Sequence, residues 1–84
     1  MEQCYISFRS VTFAQRAEAV LKRKGYSCYL QRSPNWMGQR GCGYAIQVRR
    51  TDAAECVAAL QREQVVFSKV YCQFADGRRE ELIL

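Results

Sequence analysis

The alternation of apolar and polar residues along the chain predicts four β-strands. In the first strand, Cys4, Ile6 and Phe8 share the face that we expect to pack in the core, while the residues between them face outwards. The last strand is the longest, and its alternation is the least regular. The four predicted strands cover residues 4–9, 26–31, 44–49 and 65–74.

Two segments with the helical spacing of apolar residues lie between these strands. Thr12 and Gln15 are three residues apart, as in a capping box, and we expect them to begin the first helix. Gly25 is the expected end of this helix, because glycine tolerates the left-handed conformation that closes many helices. Asp52 and Glu55 repeat the capping pattern and begin a second helix that runs to about residue 63. The order β-α-β-β-α-β predicts an α+β fold of ferredoxin-like type, in which a four-stranded antiparallel sheet carries two helices on one face.

The residues after position 75 follow a turn signal and form an extension. Asp76 and Gly77 favour a tight turn, after which the chain offers either a short returning strand or a loose end. We therefore expect one ferredoxin-like domain over residues 1–75 and a C-terminal extension over residues 76–84. A second copy of the chain could cover the extension or the outer face of the sheet, so a homodimer is one possible assembly.

The charge of the chain is positive but spread out. The net charge is +5, and the arginines and lysines are distributed over the predicted loops, strands and helix ends. A basic surface is compatible with nucleic acid, although a solvated surface is the default interpretation. No run approaches the roughly twenty apolar residues of a membrane span, and the N-terminus lacks the pattern of a secretory signal. We therefore expect a cytoplasmic protein with no membrane association.

The five cysteines are widely spread, and the chain has no histidine. Their odd number and the absence of a C-x-x-C pair argue against a disulfide framework and against the common zinc spacings. We expect no metal and no organic cofactor. Cys4 and Cys28 share faces with apolar residues and are expected in the core, whereas Cys72 is a possible redox partner for Cys42.

Cys42 is the candidate reactive residue of the chain. It lies between Gly41 and Gly43, which leave the sulfur without side chains on either side, and Arg40 is two residues before it. Glycines also allow backbone N–H groups to converge on an anion, and nearby positive charge favours the thiolate. The alternative interpretation is a small structural cysteine at the start of a strand.

The same segment also matches part of the signature of an RNA-recognition motif. In that interpretation Tyr5 would be the partner aromatic on the first strand, but Cys42 would stand where a stacking ring is required. The apolar residues of the third strand are Tyr44, Ile46 and Val48, so we expect Tyr44 to face the core and not a base. These two points argue against nucleic acid as a partner. A protein-interaction domain without catalysis is a third class that the residues leave open.

Several segments together resemble a family of small bacterial proteins of unknown function that are described as selenium/sulfur carrier-like. The resemblance covers about residues 4–71, and its most specific part is a proline-containing loop that ends in Cys-Gly before a strand. The loop departs from the family in carrying Trp36, Met37 and Arg40 where small hydroxyl residues are expected. The matching segments are Tyr5-Ile6-Ser7-Phe8, Arg32-Ser33-Pro34, Cys42-Gly43-Tyr44-Ala45 and Val65 to Tyr71.

The resemblance implies a carrier that relays sulfur or selenium through Cys42 as a persulfide or selenosulfide. Its partners would be donor and acceptor proteins of a sulfur or selenium pathway, and it would have no enzymatic turnover of its own. A lowered pKa would favour the transfer, since the thiolate is the working form of the cysteine. Supporting roles would fall to residues around the loop: Arg40 and Arg32 for charge, Gly41 and Gly43 for N–H groups, Pro34 for stiffness and Trp36 for shielding from water.

Overall fold

The strand that begins the chain lies at the centre of a five-stranded antiparallel sheet. The computed structural model describes residues 2–33 and 43–82. Across the sheet the strand order is β2-β3-β1-β4-β5. The elements are β1 (Gln3–Phe8), α1 (Val11–Arg23), β2 (Cys28–Arg32), β3 (Tyr44–Arg49), a 3₁₀ turn (Arg50–Asp52), α2 (Ala53–Arg62), β4 (Val70–Gln73) and β5 (Arg79–Leu82).

The core lies between the two helices and one face of the sheet. Cys4, Ile6 and Phe8 are fully buried on this face, which confirms the side predicted from their alternation. They pack with buried residues of β3 and β4 and with the apolar stripes of both helices. Both helices therefore cover the same side of the sheet. The helical residues of this core are Ala14, Ala17, Val20 and Leu21 from α1, and Ala53, Cys56, Val57, Ala59 and Leu60 from α2.

The N-terminal capping of both helices differs from the prediction. The Oγ of Ser10 accepts a hydrogen bond from the N–H of Phe13 at 3.2 Å, so Ser10 is the N-cap of α1 and the predicted cap at Thr12 is wrong. Asp52 precedes α2 as predicted, but its side chain makes no capping hydrogen bond. The reason is that Asp52 is the last residue of a 3₁₀ turn and has helical backbone angles, whereas a capping side chain requires an extended residue.

Each helix ends in a residue with left-handed backbone angles. In α1 this residue is Gly25, with φ of 89°, as predicted, and its N–H donates to the carbonyl of Lys22. In α2 the equivalent residue is Gln64, with φ of 59°. The N–H of Val65 then donates to the carbonyl of Leu60 at 2.9 Å, which closes the last turn.

The fourth strand is shorter than predicted because the chain bulges in front of it. The sequence predicts a strand over residues 65–74, whereas β4 covers Val70–Gln73. Ser7 of β1 faces two residues of the segment that leads into β4, Ser68 and Lys69. The N–H of Ser7 donates to the carbonyl of Lys69, and the carbonyl of Ser7 accepts from the N–H of Ser68, both at 2.8 Å. Two residues opposite one define a β-bulge. The N–H of Lys69 that the bulge leaves without a backbone partner donates to the Oγ of Ser7 at 3.0 Å.

A disulfide joins Cys4 to Cys72, so the prediction that the chain carries no disulfide framework is wrong. The two residues lie directly opposite each other in the β1–β4 pair. Both are on the core face, where their exposed fractions are 0% and 1%. Because Cys72 is already bonded to Cys4, the interpretation of Cys72 as a redox partner for Cys42 does not hold for this structure.

The extension is ordered as a fifth strand. Gly77, with φ of 89°, allows the turn that was predicted here, and the N–H of Arg78 donates to the Oδ1 of Asp76 at 2.9 Å. β5 then pairs with β4 along its whole length. The sheet therefore has one strand more than the predicted four, while the division into residues 1–75 and 76–84 stays a prediction. Within the described ranges, neither helix has the length and apolar character needed to cross a bilayer.

Candidate functional site

The two predicted site residues that the structure describes, Arg32 and Gly43, lie at the end of the sheet where β3 begins. Gly43 immediately precedes β3, and its carbonyl accepts a hydrogen bond from the N–H of Ser33 at 3.1 Å, which extends the β2–β3 pairing by one step. Of the predicted site residues, the structure describes Arg32 and Gly43. The other predicted site residues lie outside the described ones: Pro34, Trp36, Arg40, Gly41 and Cys42.

Gly43 has an ordinary backbone conformation. Its φ is not in the left-handed region, so the backbone angles at this position do not require a glycine. A Cβ added here would meet no atom of the described residues within 4 Å. The small size of Gly43 keeps the position next to Cys42 in the sequence free of a side chain.

Arg32 is held at the end of β2 by an aromatic ring. Its guanidinium lies 5.5 Å from the centroid of Tyr44, the residue directly opposite on β3. Tyr44 packs against the core cluster, which confirms the predicted core-facing side of β3 and gives the arginine a fixed support. No carboxylate within residues 2–33 and 43–82 forms an ion pair with Arg32. Its positive charge is available at this end of the sheet.

Sequence reasoning missed two further cations near this end, Arg9 and Lys69. Arg9 follows β1, and Lys69 precedes β4, which runs antiparallel to β1. Both side chains are exposed. By the same register, Glu2, Asp52 and Asp76 lie at the opposite end of the sheet, since each adjoins the end of a strand near Gln3. The sequence signal that could have found them is the sign of the charge at each end of each strand. Combined with the direction of each strand, it indicates which end of the sheet is positive.

The N-terminus of α1 adds to this electrostatic arrangement. The helix begins at Val11, shortly after β1 ends, and its first turn contains no acidic residue. The N-terminal end of a helix carries a partial positive charge, so it favours an anion nearby. Ser33 adds a buried hydroxyl at the end of β2, and this hydroxyl has no hydrogen-bond partner among the described residues. In the described part of the chain, the end of the sheet beside Gly43 is thus positive and has a hydroxyl donor without a partner.

The cysteines that the structure describes are unsuited to nucleophilic chemistry. Cys4 and Cys72 are bonded to each other, and Cys28 and Cys56 are buried free thiols. Burial raises the pKa of Cys56 to about 12, and the neighbouring carboxylate of Asp52 adds to the effect. Burial also raises the pKa of Cys28. At neutral pH both remain protonated thiols, and a protonated thiol is neither a good nucleophile nor a metal ligand.

No group of three or more potential metal ligands comes together in the part of the chain that the structure describes. Most of the described acidic side chains are engaged in ion pairs or hydrogen bonds instead. Glu2, for example, pairs with Arg50 at 3.7 Å and accepts a hydrogen bond from the N–H of Ala75.

The architecture and the cysteine distribution define a small α+β protein with four cysteines placed in its core and one, Cys42, in the segment between Ser33 and Gly43. The family model described as "Putative Se/S carrier protein-like" matches residues 3–72. The chain belongs to this family. No curated protein and no solved structure matches the chain.

Proposed function

We propose that the protein is a sulfur or selenium carrier, and that Cys42 holds the transferred atom. The observation that carries the proposal is the placement of the other cysteines. All of them lie in the core, as a disulfide between Cys4 and Cys72 and as the buried thiols of Cys28 and Cys56. Cys42 is the remaining thiol, and the family match spans it.

The transfer is an exchange that needs no added oxidant. The Cys42 thiolate attacks the outer sulfur or selenium of a persulfide or selenosulfide on a donor protein. A new bond forms between Cys42 and that atom, and the bond to the donor sulfur breaks, so the donor leaves as a thiolate. A nucleophile on the acceptor then attacks the same outer atom and releases the Cys42 thiolate. Because the carrier returns to its starting state and catalyses no reaction of its own, we class it as a carrier and not an enzyme.

The charge at the end of the sheet supports a thiolate at Cys42. Consecutive Cα atoms are about 3.8 Å apart, so Cys42 is tethered close to Gly43. Arg32 offers a cation without a carboxylate partner in the described part of the chain, and the start of α1 contributes the positive end of its dipole. The buried hydroxyl of Ser33 can donate to a sulfur anion. Each of these effects lowers the pKa of a nearby thiol.

The residues of the intervening segment complete the proposal. We assign Arg40 a second positive charge, Gly41 and Gly43 a pair of N–H donors, Pro34 a stiffening role and Trp36 the shielding of the bound atom from water. A persulfide is consumed by competing thiols and by water-borne oxidants, so shielding would lengthen its lifetime. The chemistry uses thiols alone, and no metal or organic cofactor takes part in it.

We also propose that the fold is ferredoxin-like and that the protein works in the cytoplasm with donor and acceptor proteins. The order β2-β3-β1-β4, with both helices on one face, supports the fold assignment, and β5 is then an added edge strand. Cytoplasmic reductants keep most thiols reduced. The complete burial of Cys4 and Cys72 limits the access of those reductants to the disulfide.

Thiol labelling tests the central claim. Limiting iodoacetamide at neutral pH, followed by peptide mass spectrometry, should modify Cys42 well before Cys28 and Cys56. The dependence of the labelling rate on pH should give a pKa for Cys42 below the roughly 8.5 of a free cysteine. Arg32→Gln should raise this pKa, whereas Arg16→Gln, which removes an exposed arginine from α1, should leave it unchanged. Equal modification of all three thiols would refute the proposal.

Loading of the carrier is tested separately. Incubation with inorganic polysulfide should add one sulfur atom to the peptide that contains Cys42, and dithiothreitol should remove it. The matched control is Cys42→Ser, which should remain unmodified while keeping its thermal unfolding midpoint. Sulfur found on Cys28 or Cys56 in the folded protein, with none on Cys42, would assign the relay to a different residue.

A further inference from the structure

The outer face of the sheet, opposite the helices, carries a row of aromatic and amide side chains. Tyr29 is paired with Gln47, Gln47 with Tyr5, and Tyr5 with Tyr71, so the four residues cross β2, β3, β1 and β4 in register. Neighbouring strands are about 4.8 Å apart, which places three rings within a short distance along one line. We call these four residues the tyrosine row.

The tyrosine row has an open end and a packed end. Tyr29, on the edge strand, is 63% exposed, which is unusual for an aromatic residue. Tyr5 is only 8% exposed and packs with Ala45 and Tyr71. The ring of Tyr29 is therefore accessible at the β2 edge. Beside it, Tyr5, Ala45 and Tyr71 pack together on the outer face of the sheet. Most of the Tyr29 surface is therefore open to a ligand.

A groove of about 540 Å³ lies next to the open ring. Among the described residues it is lined by Glu2, Gln3, Ser27, Tyr29, Gln47, Val48 and Arg49. It thus combines an aromatic face, two amide groups, a hydroxyl and a guanidinium, which are the groups that bind bases, sugars and phosphates.

Two charged side chains line the groove, Arg49 and Glu2, and Arg50 adds a second cation beside Glu2. Arg49 donates to the Oγ of Ser27 at 3.2 Å, and no carboxylate in residues 2–33 or 43–82 pairs with it. Glu2 is the acidic group at the groove, but Arg50 compensates its charge at 3.7 Å. An uncompensated arginine at the rim, in a chain of net charge +5, favours an anionic ligand.

We propose that this groove and the tyrosine row bind single-stranded RNA. A base stacks on Tyr29, the amides of Gln47 and Gln3 hydrogen-bond to base edges, and Arg49 contacts a phosphate. Aromatic rings on an open sheet face are how many folds bind unpaired bases, because every base has a face to stack on. The Ser27 hydroxyl beside Arg49 can pair with a 2′-hydroxyl, which favours RNA over DNA.

This interface differs from the one that the sequence signature suggested. That signature placed the stacking residues on β3, at Cys42 and Tyr44, and the core-facing side of Tyr44 rules out its use there. The structure presents Ala45 and Gln47 on the outer side of β3, and the accessible ring comes from β2. The sequence argument against nucleic acid therefore does not apply to Tyr29.

A single strand of RNA fits this surface better than a free nucleotide does. A phosphate monoester with two negative charges is usually held by several converging donors, and this groove provides one guanidinium. An RNA strand gains affinity because the nucleotides on either side of the one stacked on Tyr29 add phosphate contacts. The inference is independent of the carrier proposal, because it uses no residue of that site.

Fluorescence anisotropy with a labelled single-stranded RNA of about ten nucleotides tests the proposal. Tyr29→Leu should weaken binding about tenfold, since stacking of one base is lost, and Tyr29→Phe should retain most of the affinity. Arg49→Gln should reduce the slope of log K against log salt by about 0.7, as expected for one lost phosphate contact. Phe13→Leu and Arg16→Gln, which make the same chemical changes on α1, should bind as the wild type does.

The outcomes separate the alternatives. Absence of salt-sensitive binding, or equal losses in the α1 controls, would overturn the proposal. Equal or tighter binding of duplex RNA or of single-stranded DNA would overturn the assignment to single-stranded RNA. Tight binding of adenosine monophosphate alone, lost in Tyr29→Leu, would replace the strand by a free nucleotide. Cys42→Ser should bind RNA normally, so that failure of the carrier proposal is recognised separately.

Discussion

Reduction of the Cys4–Cys72 disulfide should lower the stability of the protein without disturbing its core. The perturbation is mild reductant under conditions where the folded state is maintained. The two thiols that result stay where the bridge was, fully buried and opposite each other on β1 and β4. Reduction therefore removes the cross-link but leaves the packing atoms in place.

The magnitude follows from the length of chain that the bridge closes. The sequence separation of the two cysteines is 68 residues. In the loop-entropy description a bridge of this span lowers the entropy of the unfolded chain enough to contribute about 4 kcal/mol at 25 °C. A domain of this size has a total stability of roughly 4–13 kcal/mol. We expect reduction to remove a large part of it and to lower the melting temperature by roughly 20 °C.

Urea unfolding with and without reductant measures the effect, and alkylation in denaturant counts the thiols. Before reduction three cysteines should react, and afterwards all five should. The double variant Cys4→Ala/Cys72→Ala is the control, because reductant should not change its unfolding midpoint. A loss of less than about 1 kcal/mol in the wild type, with five thiols then counted, would refute the loop-entropy reasoning. Five reactive thiols before reduction would refute the bridge itself.

Three further predictions concern the backbone and the buried thiols. Gln64→Gly should stabilise the protein by about 0.5–1 kcal/mol, measured by urea unfolding, because Gln64 has the left-handed φ that a side chain disfavours; a destabilised variant would contradict this. Ser7→Ala should cost about 1–3 kcal/mol by leaving the Lys69 N–H of the bulge unsatisfied, whereas Ser68→Ala should be close to neutral, and equal effects would show that the hydroxyl is unimportant. The pKa of Cys56, about 12 in the fold, lies above the roughly 8.5 of the unfolded chain, so the thiol favours the folded state. That contribution is complete below about pH 8.5 and is lost as the pH rises towards 12, so Cys56→Ala should flatten the decline in unfolding free energy above about pH 9, and parallel curves would contradict it.

The sequence predicted the helices and strands well, because each of these elements depends mainly on residues that are close together in the sequence. β3 has the predicted bounds, Tyr44–Arg49, since its alternation is regular and both ends adjoin charged or glycine residues. Gly25 ends α1 as expected. The start of α1 was wrong because the capping-box pattern requires Glu or Gln three residues after the cap. Ser10 has Phe13 in that position and caps the helix with its hydroxyl alone.

Features that depend on register could not be predicted from the sequence. The bulge that shortens β4 requires Ser7 to meet Ser68 and Lys69, which are about sixty residues away along the chain. The disulfide partner of Cys4 could not be predicted either. The alternation of residues placed Cys4 on the core face, but only the β1–β4 pairing places Cys72 opposite it. An odd number of cysteines argued against disulfides, although one pair and several free thiols satisfy the same count.

The candidate site likewise combines features that the sequence indicates with features that depend on strand register. The sequence predicted Arg32 as a supporting cation for Cys42, and this stays a prediction; the structure shows the Arg32 guanidinium beside the ring of Tyr44. The sequence did not identify Arg9, Lys69 or Ser33, because their relation to Gly43 depends on which strand ends meet. The exposed ring of Tyr29 also required the structure, since exposure within a row of paired residues is not a property of the local pattern.

The hydrogen bond between Ser33 and Gly43 has a consequence for how this fold can change. Strand pairing fixes both ends of the connection from β2 to β3, whatever residues occupy positions 34–42. Lengthening a connection costs little, about 0.6 kcal/mol for each doubling. The connection between Ser33 and Gly43 can therefore be replaced by segments of different length and composition while the rest of the fold stays the same. Chemistry at this end of the molecule is exchangeable, and a designer could transplant other reactive segments onto the same two anchor points.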